Sequence, residues 1–524
     1  MKLKSIILLS FISYLVIGLY LSINTGISHD EFHEQLNWSN NFEAIKSLFG
    51  KGDYNSLLNY PDKYHGVAFQ YISQPIQEFT HKYVSQITGS SIYGAYLLSK
   101  HLSIFLIFFT SGIFFYLISL EISRSNFFSI IATVLYLTYP YLYGHALLNP
   151  KDIPFLAFWL FSTFFFIKLL KKLYYQKKIS LSDTLIIAFL VSYLISIRII
   201  GFLIFIQFII GLVVLINYKK FDLIKLLNQN VKNIVLFIFC FFIFLYILNP
   251  IFWFNPYEII NSISHMSSYY NDVCTLTLGE CLKSKDLPAK YYFIWILYKL
   301  PLISIIGLMF FPFVEKKIFN LEFSSIIFLN LLISILTIIF LLIIRKASIY
   351  DEIRHILFLV PLILIISFYI LFILNKKLFY ILSFISCIFF ISDNIKIYPY
   401  QYSWLNSFAK FYNIQKTFEV DYWGVSNKNL QKKILTFVTK FKIDKNICIF
   451  GDGYTDVFLS VNGFDCFKFY GQVDSEKKRP FIAYQNLRNL KRNTPIDCDL
   501  IHEEYYKYIF SKQKIITGKV WYCF

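Results

Sequence analysis

The sequence has few charged residues and many apolar ones. Only 16% of its 524 residues are Asp, Glu, Lys or Arg, against roughly 25% in an average soluble protein. Apolar residues make up 56% of the chain, and no low-complexity tract accounts for its 59 Phe and 40 Tyr. This balance excludes a soluble globular enzyme, a disordered chain and a nucleic-acid factor. Much of the chain is therefore expected to lie in a membrane.

Long apolar runs recur along the chain, and each is about long enough to cross a ~30 Å hydrocarbon core. Eleven such runs lie near residues 5–24, 97–119, 127–145, 154–171, 183–198, 200–217, 233–252, 296–314, 323–344, 356–374 and 379–393. The first is interpreted as an uncleaved span rather than a signal peptide, because it is long and no convincing cleavage site follows. The sequence thus predicts an α-helical polytopic membrane protein with about 11 transmembrane helices.

Lysines predict the orientation of these spans. Clusters at 168–178 and 219–232 and pairs at 316–317 and 376–377 fall on one side of an eleven-span chain. The positive-inside rule places that side, with the N-terminus, in the cytoplasm. The expected protein is a multi-pass protein of the cell (inner) membrane. Much of the net charge of +18 is then explained by topology rather than by a nucleic-acid partner.

Two domains follow from this topology. Residues 1–393 form a transmembrane module with a long first external loop, 25–96, and a second external loop, 253–295. Residues 394–524 form a small external (periplasmic) α/β domain, because short apolar strands alternate with helix-like stretches there. Strands are predicted at 447–450, 464–470 and 520–524, and helices at 456–461 and 481–490. The segment IFGDGYTD, 449–456, is interpreted as a strand-to-helix turn because it lacks the GxGxxG spacing of dinucleotide sites.

Six of the eight cysteines fall on the outer side of the predicted topology. They are Cys274 and Cys281 in the second external loop and Cys448, Cys466, Cys498 and Cys523 in the tail. Even numbers of cysteines on an oxidising face fit disulfide bonds. The alternative is the chance placement of unpaired thiols.

Four groups of charged residues stand where predicted spans meet the outer surface, and polar groups at such positions are functional candidates. Their members are Asp30, Glu31 and His33 after the first run; Asn149, Lys151 and Asp152 between the third and fourth; Arg198 between the fifth and sixth; and Arg354 and His355 before the tenth. Each group also has a plain explanation, as a polar helix end, a hairpin, a snorkelling arginine or a charged helix start.

The four groups share one membrane depth in this topology, so carboxylates and cations are expected to meet at one water–lipid boundary. Arginine and lysine bind phosphate well, and a carboxylate can act as a general base. The arrangement suits transfer of a group from a lipid-phosphate carrier. Glu31 and His33 are also candidate ligands for a divalent cation, Mg or Mn, which the site allows but does not demand.

The motifs around these residues resemble the C-type superfamily of membrane glycosyltransferases, close to the protein O-mannosyltransferase and aminoarabinose-transferase branch (glycosyltransferase family 39-like). The resemblance covers most of the chain. It is carried by the acidic pair after the first span, by NPKDIPF (149–155), LPAKYYFIWILYKLP (287–301) and YDEIRHILFLVP (350–361), and by YPYQYSWLN (398–406) and DYWGVSNK (421–428) in the tail.

The resemblance implies transfer of a sugar from a polyprenyl-phosphate donor to a protein, lipid or glycan acceptor on the outer face of the membrane, with inversion. It makes Asp30 the general base and Asp152 the second acidic residue, which helps to position the acceptor or a metal, with Glu31 beside them. Lys151, Arg198 and Arg354 are our predicted phosphate contacts, with His355 and Asn149 assisting. Protein glycosylation in the cell envelope is the expected process.

Two other functions fit the same composition. A transporter or flippase of a lipid-linked saccharide also needs many spans and buried charges, although the spans show no evident pseudo-symmetric repeat. Broken helices with charged residues near mid-bilayer would favour it. A non-catalytic scaffold for envelope assembly would be favoured if the four charged groups were too far apart to share one site.

Overall fold

The structure is a computed structural model that describes residues 2–51, 54–269, 271–451, 456–476, 480–489, 495, 497–509 and 511–524. Its helices are α1 (Lys2–Asn24), α2 (His29–Lys51), α3 (Asn55–Leu58), α4 (Gln70–Thr88), α5 (Ile92–Ser123), α6 (Asn126–Thr138), α7 (Pro140–Ala146), α8 (Asp152–Tyr174), α9 (Leu181–Ile197), α10 (Ile204–Lys219), α11 (Leu223–Leu248), α12 (Ile251–Phe254), α13 (Glu258–Ser268), α14 (Lys290–Lys299), α15 (Leu302–Met309), α16 (Phe311–Phe319), α17 (Phe323–Ile344), α18 (Val360–Leu374), α19 (Lys376–Ile397), α20 (Ile414–Thr417), α21 (Asn427–Phe441) and α22 (Asp456–Leu459). Its strands are β1 (Cys274–Thr277), β2 (Glu280–Lys283), β3 (Cys448–Gly451), β4 (Phe467–Phe469), β5 (Phe481–Asn486), β6 (Cys498–Tyr506) and β7 (Ile515–Cys523).

The predicted class is confirmed: the chain is a helical multi-pass membrane protein with a small sheet domain at its C-terminus. Within the described residues, seven helices are long and apolar enough to cross a membrane, or up to ten if each of three bent helix pairs counts as one span. The shorter apolar helix α9 is additional. The number eleven is therefore not confirmed, because several predicted runs form broken or short helices.

Prolines break two of the predicted spans. The run 127–145 divides at Pro140 into α6 and α7, which differ in direction by 62°. The run 296–314 is wrong as a straight span, because α14 and α15 meet at an angle of 117°. A residue before proline is pushed out of the helical region, and Leu300 before Pro301 is extended, with ψ of 141°.

The charged loops separate to the two ends of the helix bundle. At one end, Lys171 lies 2.6 Å from Glu121, and Arg124 lies 3.9 Å from Glu322. The tail and both predicted external loops meet at the other end, where the Leu276 amide donates to Glu419 at 2.9 Å. The lysine-rich turns and the tail therefore lie apart, as the topology requires. Which end faces the cytoplasm stays a prediction.

The tail contains a mixed five-stranded sheet in the order β4-β3-β5-β7-β6, with β3 parallel to β4 and β5 and with β7 antiparallel to β5 and β6. The predicted helix at 481–490 is wrong, because Phe481–Asn486 is the central strand. All six of its residues are buried, so it lacks the alternation that would mark a half-exposed strand. Of the predicted turn at 449–456, strand β3 is observed, and residues 452–455 lie outside the described part.

All six cysteines that are predicted to lie on the outer side are paired. Cys274 bonds to Cys281 across the β1–β2 hairpin. In the tail, Cys448 bonds to Cys466 and Cys498 to Cys523. The disulfide interpretation is therefore favoured over unpaired thiols, and each bond closes a short loop within the loop or tail that contains it.

The tail is attached directly to the end of the first helix. The Lys428 ammonium donates to the Asn24 carbonyl at 2.6 Å and lies 3.4 Å from the Thr25 carbonyl, so it caps the negative end of α1. Gly26 packs against the backbone of Val425. The tail segment 421–426 is thereby held beside the start of α2.

Gly26→Ala is expected to disrupt this contact, because a Cβ at position 26 would lie only 2.4 Å from the Val425 carbonyl oxygen. Forced overpacking of this kind typically costs about 1–3 kcal/mol. We expect a lower unfolding temperature in detergent and faster proteolytic cleavage of the tail. Gly50→Ala is the matched control, since no atom lies within 4 Å of a Cβ at position 50. Equal behaviour of the two variants would contradict the proposed attachment.

Candidate active site

Ion pairs connect the four predicted groups of charged residues, in one case through Glu34, which follows the first group on the same helix. Arg354 of the fourth group pairs with Asp30 of the first. Lys151 of the second group lies 2.7 Å from Glu34, one helical turn beyond Asp30. Arg198, which forms the third group, lies 2.7 Å from Asp152 of the second. The four groups therefore form one cluster at the tail end of the bundle, against the expectation for a scaffold.

Asp30 is the most accessible carboxylate of this cluster. It stands in the first turn of α2, which turns away from α1 by 89°. Its Oδ2 accepts hydrogen bonds from Arg354 and, at 3.2 Å, from the indole of Trp423. Its side chain keeps 44% of its surface exposed. Both bonds are to one oxygen, so the carboxylate is oriented and still open to solvent.

Arg354 is buried and stands between two carboxylates. One guanidinium nitrogen donates to Asp30, and the other lies 3.2 Å from Asp351. The guanidinium also lies 5.5 Å from the centre of the Trp423 ring and 4.9 Å from that of Tyr350. Arginine suits such a site because its planar fork can bond two anions and stack on aromatic rings together.

Asp152 is held at the start of α8 by its own turn. The Asn149 amide donates to Asp152 Oδ2 at 2.8 Å, and the Asp152 backbone N–H donates back to Asn149 Oδ1 at 2.9 Å. The other carboxylate oxygen binds Arg198. Arg198 ends α9 with extended backbone, and its side chain is 20% exposed. The break between the two short predicted spans thus places a cation at the site.

His355 lies beside the cluster rather than within its ion pairs. Its ring contacts that of Tyr350 at 4.5 Å, and it is close enough to Arg354 and Arg198 for electrostatic interaction. Its assisting role stays a prediction.

Glu31 and His33 point to different surroundings. Glu31 is fully buried, and its oxygens accept from the Ser28 N–H at 2.7 Å and lie 2.8 Å from His101 Nε2. His33 is partly exposed and lies 3.0 Å from Asp62. These two candidate metal ligands do not converge on one point. In the part of the chain that the structure describes, no group of three or more His, Cys, Asp or Glu is placed to hold a metal ion.

Sequence reasoning missed several members of the cluster. Trp423 lies in the tail motif DYWGVSNK (421–428), but nothing in the sequence indicates that its indole contacts Asp30. Arg488, which binds Asp351, stands in a tail segment without any motif. Lys299 pairs with Glu352 at 2.6 Å with both side chains fully buried. A lysine inside an apolar run was a detectable signal, since such residues are costly unless paired.

Two solved structures are similar to the chain along its whole length. ArnT from Cupriavidus metallidurans in the apo state has a TM-score of 0.49 and 10% sequence identity, and the match covers 100% of this chain and 98% of that chain. ArnT from the same organism bound to undecaprenyl phosphate has a TM-score of 0.45 and 10% identity, and the match covers 98% and 97% of the two chains.

No family model matches the chain, and no curated protein matches it by sequence. Structural similarities of this degree carry no argument about this chain, and the reaction is inferred from the site itself.

The tail segment that carries Trp423 is shaped by a buried carboxylate. Asp421 accepts hydrogen bonds from the Tyr402 hydroxyl and from the backbone N–H groups of Val425 and Ser426, the latter two at 2.9 and 3.2 Å. Burial nevertheless raises the pKa of Asp421 from 3.8 to about 6. The folded chain therefore holds a proton at position 421 in a range where the unfolded chain has released it.

The stability of the folded state is therefore expected to fall as pH rises from about 4 to 6, because folding binds a proton across that window. Each pKa unit corresponds to about 1.4 kcal/mol. Asp421→Asn mimics the protonated carboxyl and should flatten this part of the curve. Thermal unfolding in detergent at several pH values measures the slope. Asp444→Asn, on an exposed loop, should keep the wild-type slope, and an unchanged slope in Asp421→Asn would contradict the assignment.

Proposed function

We propose that the chain is an inverting membrane glycosyltransferase that moves a sugar from a polyprenyl-phosphate donor to a hydroxyl group of a protein, lipid or glycan acceptor. The observation that carries the proposal is the single cluster in which a half-exposed carboxylate stands among cations at the end of the helix bundle. A base and an anion-binding group side by side are what transfer from a lipid phosphate requires.

The reaction is a displacement at the anomeric carbon. The acceptor hydroxyl gives its proton to the carboxylate of Asp30, and its oxygen forms a bond to the anomeric carbon from the face opposite the leaving group. The bond from that carbon to the phosphate oxygen breaks, and its electron pair stays on the phosphate. One displacement inverts the configuration. Trp423 and Arg354 orient Asp30 so that its second oxygen can meet the acceptor.

Three cations are proposed to hold the phosphate. Arg354 is buried, whereas the side chains of Arg198 and Lys151 are 20% and 13% exposed. Each is paired with a carboxylate in this structure, so a phosphate would share or replace those partners. Charge-assisted hydrogen bonds to the departing phosphate become stronger as its negative charge grows, which favours the transition state.

The two other predicted acids have different surroundings from Asp30. We propose that Asp152 positions Arg198 and, through Asn149, the turn at the start of α8, with a contact to the acceptor as its further predicted role. Glu31 has both oxygens occupied inside the protein, so we propose that it fixes the first turn of α2 rather than meeting substrate.

A divalent cation is not part of the proposed steps. The residues suggested as ligands, Glu31 and His33, do not fit one ion, because the first is buried against His101 and the second lies beside Asp62. Whether Mg or Mn takes part is tested by chelation and re-addition during the transfer assay.

A flippase for a lipid-linked saccharide is the second candidate. One observation favours it: the bent pair α14–α15 carries a fully buried ion pair, Lys299 with Glu352, beside its break. However, the Lys299 ammonium also donates to the Trp404 carbonyl of the tail at 2.9 Å. This contact supports a position of the break at the tail end of the bundle, whereas a flippase is expected to have its broken helices near the middle of the membrane.

The deciding experiment uses the purified protein in liposomes that contain a radiolabelled polyprenyl-phosphate sugar and an extract of envelope acceptors. We expect the label to move covalently to an acceptor, with inverted configuration in the product. Movement of the intact donor across the bilayer without any covalent product would support the flippase instead. Mass spectrometry of envelope glycans with and without the gene would then identify the acceptor.

A further inference from the structure

Arg488 comes from the C-terminal tail but reaches the charged cluster of the transmembrane module. It lies directly after β5, and its guanidinium donates to Asp351 through one nitrogen and to the Tyr422 carbonyl through the other, the latter at 3.0 Å. Its side chain is 27% exposed. The reaction steps above give it no role, although it belongs to the same network of ion pairs.

We infer that Arg488 is a positioning residue for Arg354, so that the C-terminal domain completes the site that binds the donor phosphate. The inference rests on the proposed function and assigns part of the donor binding to the tail. Arg488 does not itself touch the reacting atoms in this assignment. It acts through two neighbours of Arg354, namely Asp351 and Trp423.

The first route runs through the carboxylate that the two arginines share. One oxygen of Asp351 binds Arg488, and the other lies 3.2 Å from Arg354. Asp351 is buried, with 3% of its side chain exposed, so water screens its charge poorly. Without Arg488, the full charge of Asp351 would act on Arg354 alone. Arg354 would then be held more tightly by Asp351 and would be less available to a phosphate.

The second route runs through the backbone of the tail. Arg488 donates to the carbonyl of Tyr422, the residue before Trp423. Trp423 in turn donates to Asp30 at 3.2 Å and lies 5.5 Å from the guanidinium of Arg354. Loss of Arg488 would therefore loosen the indole that lies against both partners of the Asp30–Arg354 pair.

Together the two routes need two hydrogen bonds that leave one side chain in different directions. The rigid fork of a guanidinium supplies them, whereas a lysine ammonium is a single point charge on a flexible stem. Lysine at position 488 would keep the charge beside Asp351 and lose the fixed geometry toward Tyr422. The two routes can therefore be separated by comparing lysine with an uncharged residue.

The test measures donor KM and kcat, and the binding of polyprenyl phosphate without sugar, for full-length protein in detergent. For Arg488→Met we expect a rise in donor KM on the order of tenfold with kcat changed much less, because Arg354 stays in place and the binding energy that is lost is the same in the ground state and the transition state. The donor KM of Arg488→Lys should lie between those of Arg488→Met and wild type. Asp351→Asn added to Arg488→Met should lower KM again, because the unscreened carboxylate is gone. Arg345→Met, at an exposed helix end, is the control.

The outcomes separate the inference from the proposed function. If wild type neither binds polyprenyl phosphate nor transfers sugar, the proposed function fails, and this inference fails with it. If wild type does both and Arg488→Met keeps the wild-type KM, only the positioning role is overturned. It is overturned too if KM, kcat and unfolding temperature all worsen together in both Arg488 variants and Asp351→Asn restores nothing.

Discussion

Asp30→Asn is expected to lower transfer from a polyprenyl-phosphate sugar by roughly 10²- to 10⁴-fold, the usual contribution of a general base. An amide at this position still accepts a hydrogen bond from Trp423 but cannot take the acceptor's proton. The fold should persist, because Arg354 keeps its buried partner Asp351 at 3.2 Å. Single-turnover transfer and the unfolding temperature, measured on the same preparation, check both parts of the prediction.

The matched control for this variant is Asp272→Asn. Asp272 pairs with Lys283 at 3.4 Å, and 58% of its side chain is exposed, so the same chemical change there should leave transfer unaltered. Donor binding by Asp30→Asn should remain close to that of wild type, since the cations are intact. Full transfer activity in Asp30→Asn would remove the base assignment, and loss of folding in this variant would show that Asp30 is needed for structure.

Arg354→Gln is expected to impair both stability and activity. It leaves Asp351 buried with Arg488 as a remaining partner and frees Asp30 from its cation. Because Asp351 keeps a partner and Asp30 is 44% exposed, the loss of stability should be smaller than the about 3–5 kcal/mol of a buried charge left without a partner. Transfer should fall by roughly 10²- to 10³-fold, the usual effect of removing one donor to developing negative charge. Thermal unfolding and donor titration measure the two effects.

Two further variants keep this prediction testable if Arg354→Gln fails to fold. Arg354→Lys retains the positive charge but cannot bond both carboxylates, so it should fold and still bind the donor weakly. Arg124→Gln is the control, because Arg124 pairs with Glu322 at the opposite end of the bundle with more than 60% of each side chain exposed. Exposed pairs contribute about 0–1 kcal/mol. Normal donor affinity in Arg354→Lys would contradict the phosphate assignment.

The sequence predicted which residues belong to the candidate site better than it predicted which of them contact one another. Asp30, Asp152, Arg198 and Arg354 each follow or precede an apolar run, and a membrane brings residues at run ends to the same depth. Depth does not predict neighbours around the bundle. The pairing of Arg354 with Asp30, 324 positions away, depends on how the helices pack, and one sequence carries no signal of that packing.

Two predictions of secondary structure were wrong because they too depended on tertiary contacts. Phe481–Asn486 was expected to be helical, yet it is the buried central strand of the sheet. The straight span predicted at 296–314 failed because Pro301 permits a sharp bend that only neighbouring contacts make favourable. In both cases tertiary burial decided between conformations that the local sequence allowed.

The sequence by itself determined that this protein is a helical multi-pass membrane protein, which end of each span carries its polar groups, and which cysteines lie on one side. These properties follow from transfer of apolar surface out of water and from the cost of placing charge in lipid, which act on each segment separately. Only the tertiary structure decided that the tail domain supplies Trp423 and Arg488 to the cluster. Such contacts depend on how segments far apart in the sequence pack together, and no local sequence pattern predicts that packing.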